Sequence, residues 1–117
     1  MTGRLSQSVI EVRQGDSFTI SIYLRKDNKD VDLRGWTCEM QVRDKDNGNL
    51  KFSVYGDPVD IANGKIALNI TPSMTSIPVG DYACDIQVVS RTGEVNTIYP
   101  SDIHKVGTFR ITSQITR

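Results

Sequence analysis

Trp36-Thr37-Cys38-Glu39-Met40-Gln41-Val42-Arg43 is the stretch whose reading decides the fold. Apolar Trp36, Cys38, Met40 and Val42 alternate with polar Thr37, Glu39, Gln41 and Arg43. A period of two belongs to an extended chain, so the stretch is a strand with one dry face and one wet face. The dry face of such a sheet needs a cover, and a second sheet supplies it. Val, Ile and Thr together number 33, against 8 for Ala and Leu. Side chains branched at the β-carbon suit a pleated surface and crowd a helix, so the whole chain reads as all-β.

Working outward, the same alternation recurs. Val9, Ile10 and Val12 mark a strand over 8–13, turned by Gln14-Gly15-Asp16. Phe18, Ile20, Ile22 and Leu24 share one face, with Thr19, Ser21 and Tyr23 on the other. Asp27 to Asp30 is a polar loop of residues that bond their own backbone in turns, and Val31 to Arg34 reads as a short edge piece. On the far side, Asp44 to Asn49 is a turn around Asn47-Gly48, and Leu50 to Tyr55 returns until Gly56-Asp57-Pro58 breaks it. Asn63-Gly64 sets up a hairpin into Ile66, Leu68 and Ile70. Thr71-Pro72-Ser73 predicts a single helical turn, with Thr as cap and Pro at the first helical position. Tyr82, Cys84, Ile86 and Val88 form the next inward face, and Arg91-Thr92-Gly93 turns into a strand over 94–99. After a loop over 100–105, a last strand runs over 106–112. Seven to nine short strands at intervals of roughly ten residues predict one β-sandwich over 1–117, with its core at about 8–112.

The 117 residues suit one domain, and 14 Lys plus Arg balance 14 Asp plus Glu. Zero net charge gives no field to draw nucleic acid or an anionic membrane, so neither is expected as a partner. No apolar run is long enough to span a bilayer, and the opening MTGRLSQSVIEV has no apolar signal core, so neither membrane insertion nor secretion is expected. That places Cys38 and Cys84 in a reducing compartment as buried thiols; the alternative disulfide would join adjacent central strands.

The remaining chemistry is sparse. His104 is the only histidine, and no Cys or His spacing suits zinc. The Gly-x-Ser-x-Gly elbow of a serine hydrolase is missing, as is any glycine-rich phosphate loop. Asp44-Lys45-Asp46-Asn47-Gly48 resembles the start of a calcium loop, but the sixth position is Asn49 and the twelfth Tyr55 where Gly and Glu are needed. Asp27, Asp30 and Asp32 sit beside Lys26 and Lys29, a weak acidic cluster. No catalytic, cofactor-binding or metal-ligating residue is expected, and so no enzyme. Asn69-Ile70-Thr71 fits a glycosylation sequon by chance, lying in a predicted strand. Tyr23, Tyr55 and Tyr99 are candidates for exposure, a feature that sugar and protein partners both favour.

Two stretches carry a family resemblance. The first is Asp32-Leu33-Arg34-Gly35-Trp36-Thr37-Cys38-Glu39-Met40-Gln41-Val42-Arg43-Asp44. The second is Ile77-Pro78-Val79-Gly80-Asp81-Tyr82-Ala83-Cys84-Asp85-Ile86-Gln87-Val88, continuing through Gly93-Glu94-Val95-Asn96-Thr97-Ile98. Gly64-Lys65-Ile66-Ala67-Leu68-Asn69-Ile70 stands between them. Their order resembles the small immunoglobulin-like structural proteins of tailed bacteriophages and prophages, and is similar to the N-terminal domain of phage baseplate upper proteins. In those families a D-L-x-G turn feeds a strand ending M-Q-V/I-R-D, and a P-x-G-x-Y-x-x-D-I/L strand follows.

The resemblance implies an immunoglobulin-like β-sandwich of seven to nine short antiparallel strands. It implies a virion protein made in the bacterial cytoplasm, acting in the tail, baseplate, neck or fibre attachment through other virion proteins, and as a homo-oligomer. Capsid decoration and adhesion to a host surface glycan are the alternatives. The expected partner contacts are Asp27, Asn28 and Asp30, then Asp44, Asp46 and Asn47, then Tyr99 and His104, and Arg117 at the end of the chain. Polar chain ends fray unless docked, so a partner is expected to hold them.

Overall fold

In a computed structural model, which describes residues 4–6, 9–100 and 107–113, the alternating stretches become strands of two facing sheets. In chain order the elements are β1 (Arg4–Ser6), β2 (Val9–Arg13), β3 (Phe18–Tyr23), β4 (Arg25–Lys26), β5 (Lys29–Asp30), β6 (Thr37–Asp44) and β7 (Leu50–Tyr55). They continue as β8 (Asp57–Asp60), β9 (Lys65–Ile70), α1 (Pro72–Thr75), β10 (Gly80–Val89), β11 (Val95–Tyr99) and β12 (Gly107–Thr112). The wider sheet runs β1-β2-β12-β10-β6-β7, with β11 also on β10; the narrower runs β3-β9-β8, and β4 and β5 form a separate small hairpin. The chain is therefore mostly β, in an arrangement compatible with an all-β sandwich.

β10 is the centre of the wider sheet. β6 pairs with it from Tyr82 to Val89, while its other edge is shared by β12 along Gly80–Cys84 and β11 along Ile86–Val89. The sheet is not wholly antiparallel as expected: β12 and β2 run parallel, from Thr108↔Val9 to Thr112↔Arg13. The reason is connectivity, since the chain leaves β2 for the other sheet and does not turn straight back.

The inward residues expected from alternation meet between the sheets. Ile10, Met40, Val42, Leu68, Phe109 and Ile111 are fully buried, and Ile22, Leu24 and Trp36 pack against that core while partly exposed. Phe109 lies between Phe18, with ring centroids 6.3 Å apart, and Phe52, edge-on at 5.5 Å. The chain passes between sheets at Gly56, where a β-carbon would stand 2.5 Å from Ile66 Cγ2 and 2.9 Å from Cys38 Cβ. The expected break at 56–58 is thus a change of sheet, with strand pairing resuming at Asp57.

Residues 31–34 are not the expected edge strand. The pairing falls earlier, on β4 and β5, because Asp27 and Asn28 take φ of 55° and 63° and close a two-residue turn. The helical turn forms as expected: Thr71 Oγ1 accepts the N–H of Met74 at 3.4 Å. The fully buried Thr75 hydroxyl donates to Asp16 O at 2.7 Å, pinning α1 to the turn between β2 and β3. Just beyond it the Tyr82 hydroxyl donates to Pro78 O at 2.5 Å.

Candidate functional site

Strand geometry places the polar side chains of β6, β10, β11 and β12 on the outer face of the wider sheet. At one side of this face Arg110 joins three strands: its Nε donates to Asp81 Oδ1 at 2.8 Å and its Nη1 lies 3.8 Å from Glu11 Oε2. The hydrogen bonds from Arg110 hold the Asp81 carboxyl below its ordinary range. Toward the middle, Gln41, Arg43, Asp85, Thr97 and Pro100 line a shallow cavity of ≈ 250 Å³. Arg43 is committed to its own strand and loop, donating to Gln41 Oε1 at 2.9 Å and Gly48 O at 3.0 Å.

Asp85 sits opposite Gln41 in this cavity, half-buried. Burial raises its pKa; Arg43 opposes the rise and Glu39 adds to it. A carboxyl whose folded pKa exceeds its unfolded one lowers stability as pH climbs from the unfolded value through the folded one. Asp85→Asn is therefore expected to unfold at a higher urea concentration than wild type at neutral pH. The difference should vanish once the pH falls below the ordinary carboxyl value of 3.8. Equal midpoints at neutral pH would show that Asp85 is not strained there.

A second concavity of ≈ 420 Å³ opens at one end of the molecule. Trp36, Val31 and Ile98 give it an apolar lining, and Arg25, Lys26 and Arg91 bring cations to its rim. Arg25 is partly answered by Asp30 at 3.7 Å.

The expected contact residues do not form one patch. Asp27 and Asn28 form the tip of the β4–β5 turn, with Asp30 on β5, near the start of β6. Asp44 ends β6, and Asp46 and Asn47 lie in the turn beyond it, where Asp46 N–H donates to Asp44 Oδ1 and Asn49 N–H to Asn47 Oδ1. Tyr99 is half-buried, contrary to the expected exposure. Its ring lies against Gly107, and its enclosed hydroxyl meets no partner among the described residues. Burial, with Cys84 adding, pushes its pKa up to about 12. His104, Arg117 and most of the 100–105 loop lie outside the described residues.

Cys38 and Cys84 are buried free thiols, pushed up to about 11 and about 12 by burial. They lie on adjacent strands, but Cys38 pairs with Val88 and Cys84 with Val42. Four residues of strand, about 13 Å, separate the two positions, beyond the reach of a disulfide. Tyr23 and Tyr55 are exposed on opposite outer faces, Tyr23 on β3 and Tyr55 on β7. Among the described residues no group of three His, Cys, Asp or Glu is placed to hold a metal ion.

The sequence places Asp85 in a strand motif, Lys26 beside an acidic cluster and Arg91 in a turn, and marks none of them, nor Arg25, as a site residue. Each reads there as one polar residue among many, and only the neighbours brought by distant strands make a cavity around it. Compared with known proteins, the chain matches no protein-family model and no curated protein.

Proposed function

We propose that the chain is a non-enzymatic, immunoglobulin-like structural module of a tailed-bacteriophage virion, acting through protein–protein contacts in the tail, baseplate, neck or fibre-attachment region. The observation that carries the immunoglobulin-like part is the corner at Tyr82. Its hydroxyl bonds the backbone four residues upstream, and Cys84 follows two residues later, as in the tyrosine corner of that fold. The strand order supports it too, with β3-β9-β8 facing a sheet built on β12, β10, β6 and β7.

The virion part rests on the resemblance of residues 32–44 and 77–98. Those residues work as scaffold: Leu33 is buried, Trp36 N–H donates to Leu33 O at 2.9 Å, and Asp32 Oδ1 accepts the N–H of Arg34 at 3.0 Å. A module whose recognisable residues serve packing fits a role in assembly. Tyr23 and Tyr55, on opposite outer faces, do not build a single stacking platform for a glycan.

Quantitative mass spectrometry of purified particles from the source phage or induced prophage tests this reading. Low copy number is expected for a tail, neck or fibre-attachment component. A copy number near that of the major capsid protein would assign it to capsid decoration instead, and absence from particles would defeat the virion reading.

A further inference from the structure

The outermost strands of the two sheets differ in how well they are guarded. β8 carries Pro58 between Asp57 and Asp60, residues that discourage pairing at an open edge. β3 ends a sheet of three strands that faces a path of six, so an approaching sandwich meets the overhang of the wider sheet first. β7, Leu50-Lys51-Phe52-Ser53-Val54-Tyr55, ends the wider sheet with no proline and no acid, and its bulge at Lys51 leaves the run from Phe52 to Tyr55 regular. Its Leu50 and Tyr55 are 48% and 68% exposed.

The main chain of β7 is ordered for a further partner. Gly56 N–H donates to Cys38 O at 2.8 Å, and Val54 and Phe52 pair next with Met40 and Val42. Hydrogen-bonded positions alternate along an antiparallel strand, so Ser53 and Tyr55 turn their N–H and C=O groups to the open edge, while Lys51 is the extra residue of a bulge between Phe52↔Val42 and Leu50↔Arg43.

We propose that β7 pairs antiparallel with β7 of a second copy, about a two-fold axis at Ser53, joining two sheets into one. In this register Phe52 stands opposite Val54 of the partner subunit, and Tyr55 faces the bulge that carries Lys51 of the partner subunit. Inward side chains meet inward ones and no like charges face each other. Both Lys–Tyr pairs gain a cation–π contact, with Glu39 beside Tyr55 adding a negative charge. The chain already holds such a pair within itself: Tyr23 and Lys65 are direct cross-strand partners, with Nζ 5.7 Å from the ring centroid. One strand edge is a small interface, so the association is concentration-dependent. The proposal does not rest on the virion reading.

Sedimentation equilibrium of the full chain is expected to show a monomer–dimer equilibrium. Ser53→Cys should form a disulfide-linked dimer under mild oxidation, because the two-fold axis brings residue 53 against itself. Ser21→Cys, on exposed β3, should not, and the native thiols are buried. Tyr55→Lys, checked for unchanged circular dichroism, should weaken the dimer about tenfold or more by opposing Lys51 and removing both ring contacts. A chain that stays monomeric at millimolar concentration overturns the proposal. So does Ser53→Cys that cross-links no faster than Ser21→Cys, or a folded Tyr55→Lys that dimerises as well as wild type.

Discussion

Phe109→Ala is expected to lower the unfolding free energy by about 3–5 kcal/mol, the usual range for emptying a buried aromatic site. Phe109 is fully buried on β12 and touches rings from both sheets, Phe18 on the narrower and Phe52 on the wider. Removing it leaves a void that the two sheets cannot close without losing their separation, and both ring contacts go with it. Urea denaturation followed by circular dichroism measures the loss. Val95→Ala, at an exposed position, is the control and should fall within about 0.5 kcal/mol of wild type. A loss for Phe109→Ala no larger than that of the control would remove Phe109 from the centre of the core.

Gly64→Ala is expected to cost about 2–4 kcal/mol, from left-handed backbone strain together with disturbed hydrogen bonds. Gly64 has φ of 72°, and a β-carbon there would stand 2.5 Å from Leu24 O. That carbonyl accepts the N–H of Val31, while Leu24 N–H donates to Gly64 O at 2.8 Å. Three segments of chain are thus knotted at one point, and none is a flexible side chain that can swing away. Gly48→Ala separates the two contributions. Gly48 has nearly the same φ, 73°, but nothing stands within 4 Å of its added β-carbon, so only strain remains. The same denaturation midpoints compare them, and equal losses at the two sites would show that Leu24 and Val31 yield freely.

The inward faces of β3, β6, β9 and β10 were legible because they depend only on alternation. Every residue placed inward on those strands is buried or packed against the core. The helical turn at Pro72 was legible for a similar reason, as a local cap and a local proline specify it. What alternation leaves open is which strand lies beside which. The parallel pairing of β2 with β12 joins segments a hundred residues apart, and no short pattern in either encodes the other.

The same limit governed the surface. Asp85 was readable as facing outward, but its enclosure depends on Thr97 of β11 and on Pro100 just past its end. The turns at 27–28 and 44–49 were each readable, and their placement toward opposite ends of β6 was not. Residues 31–34 misled because apolar Val31 and Leu33 alternate as a strand does. Leu33 is instead held by its N–H to Ile61 O at 2.9 Å, in a segment that packs without pairing.

The parallel run of β2 against β12 has a consequence under tension. A load entering at Val9 and leaving at Thr112 pulls the two strands past each other along their length. Their register from Thr108↔Val9 to Thr112↔Arg13 is then stressed as one block. An antiparallel pair in that position would be peeled apart bond by bond. Stretched between those points, the domain behaves as a stiff link that resists extension and then ruptures abruptly, its resistance set by how fast that block of bonds gives way.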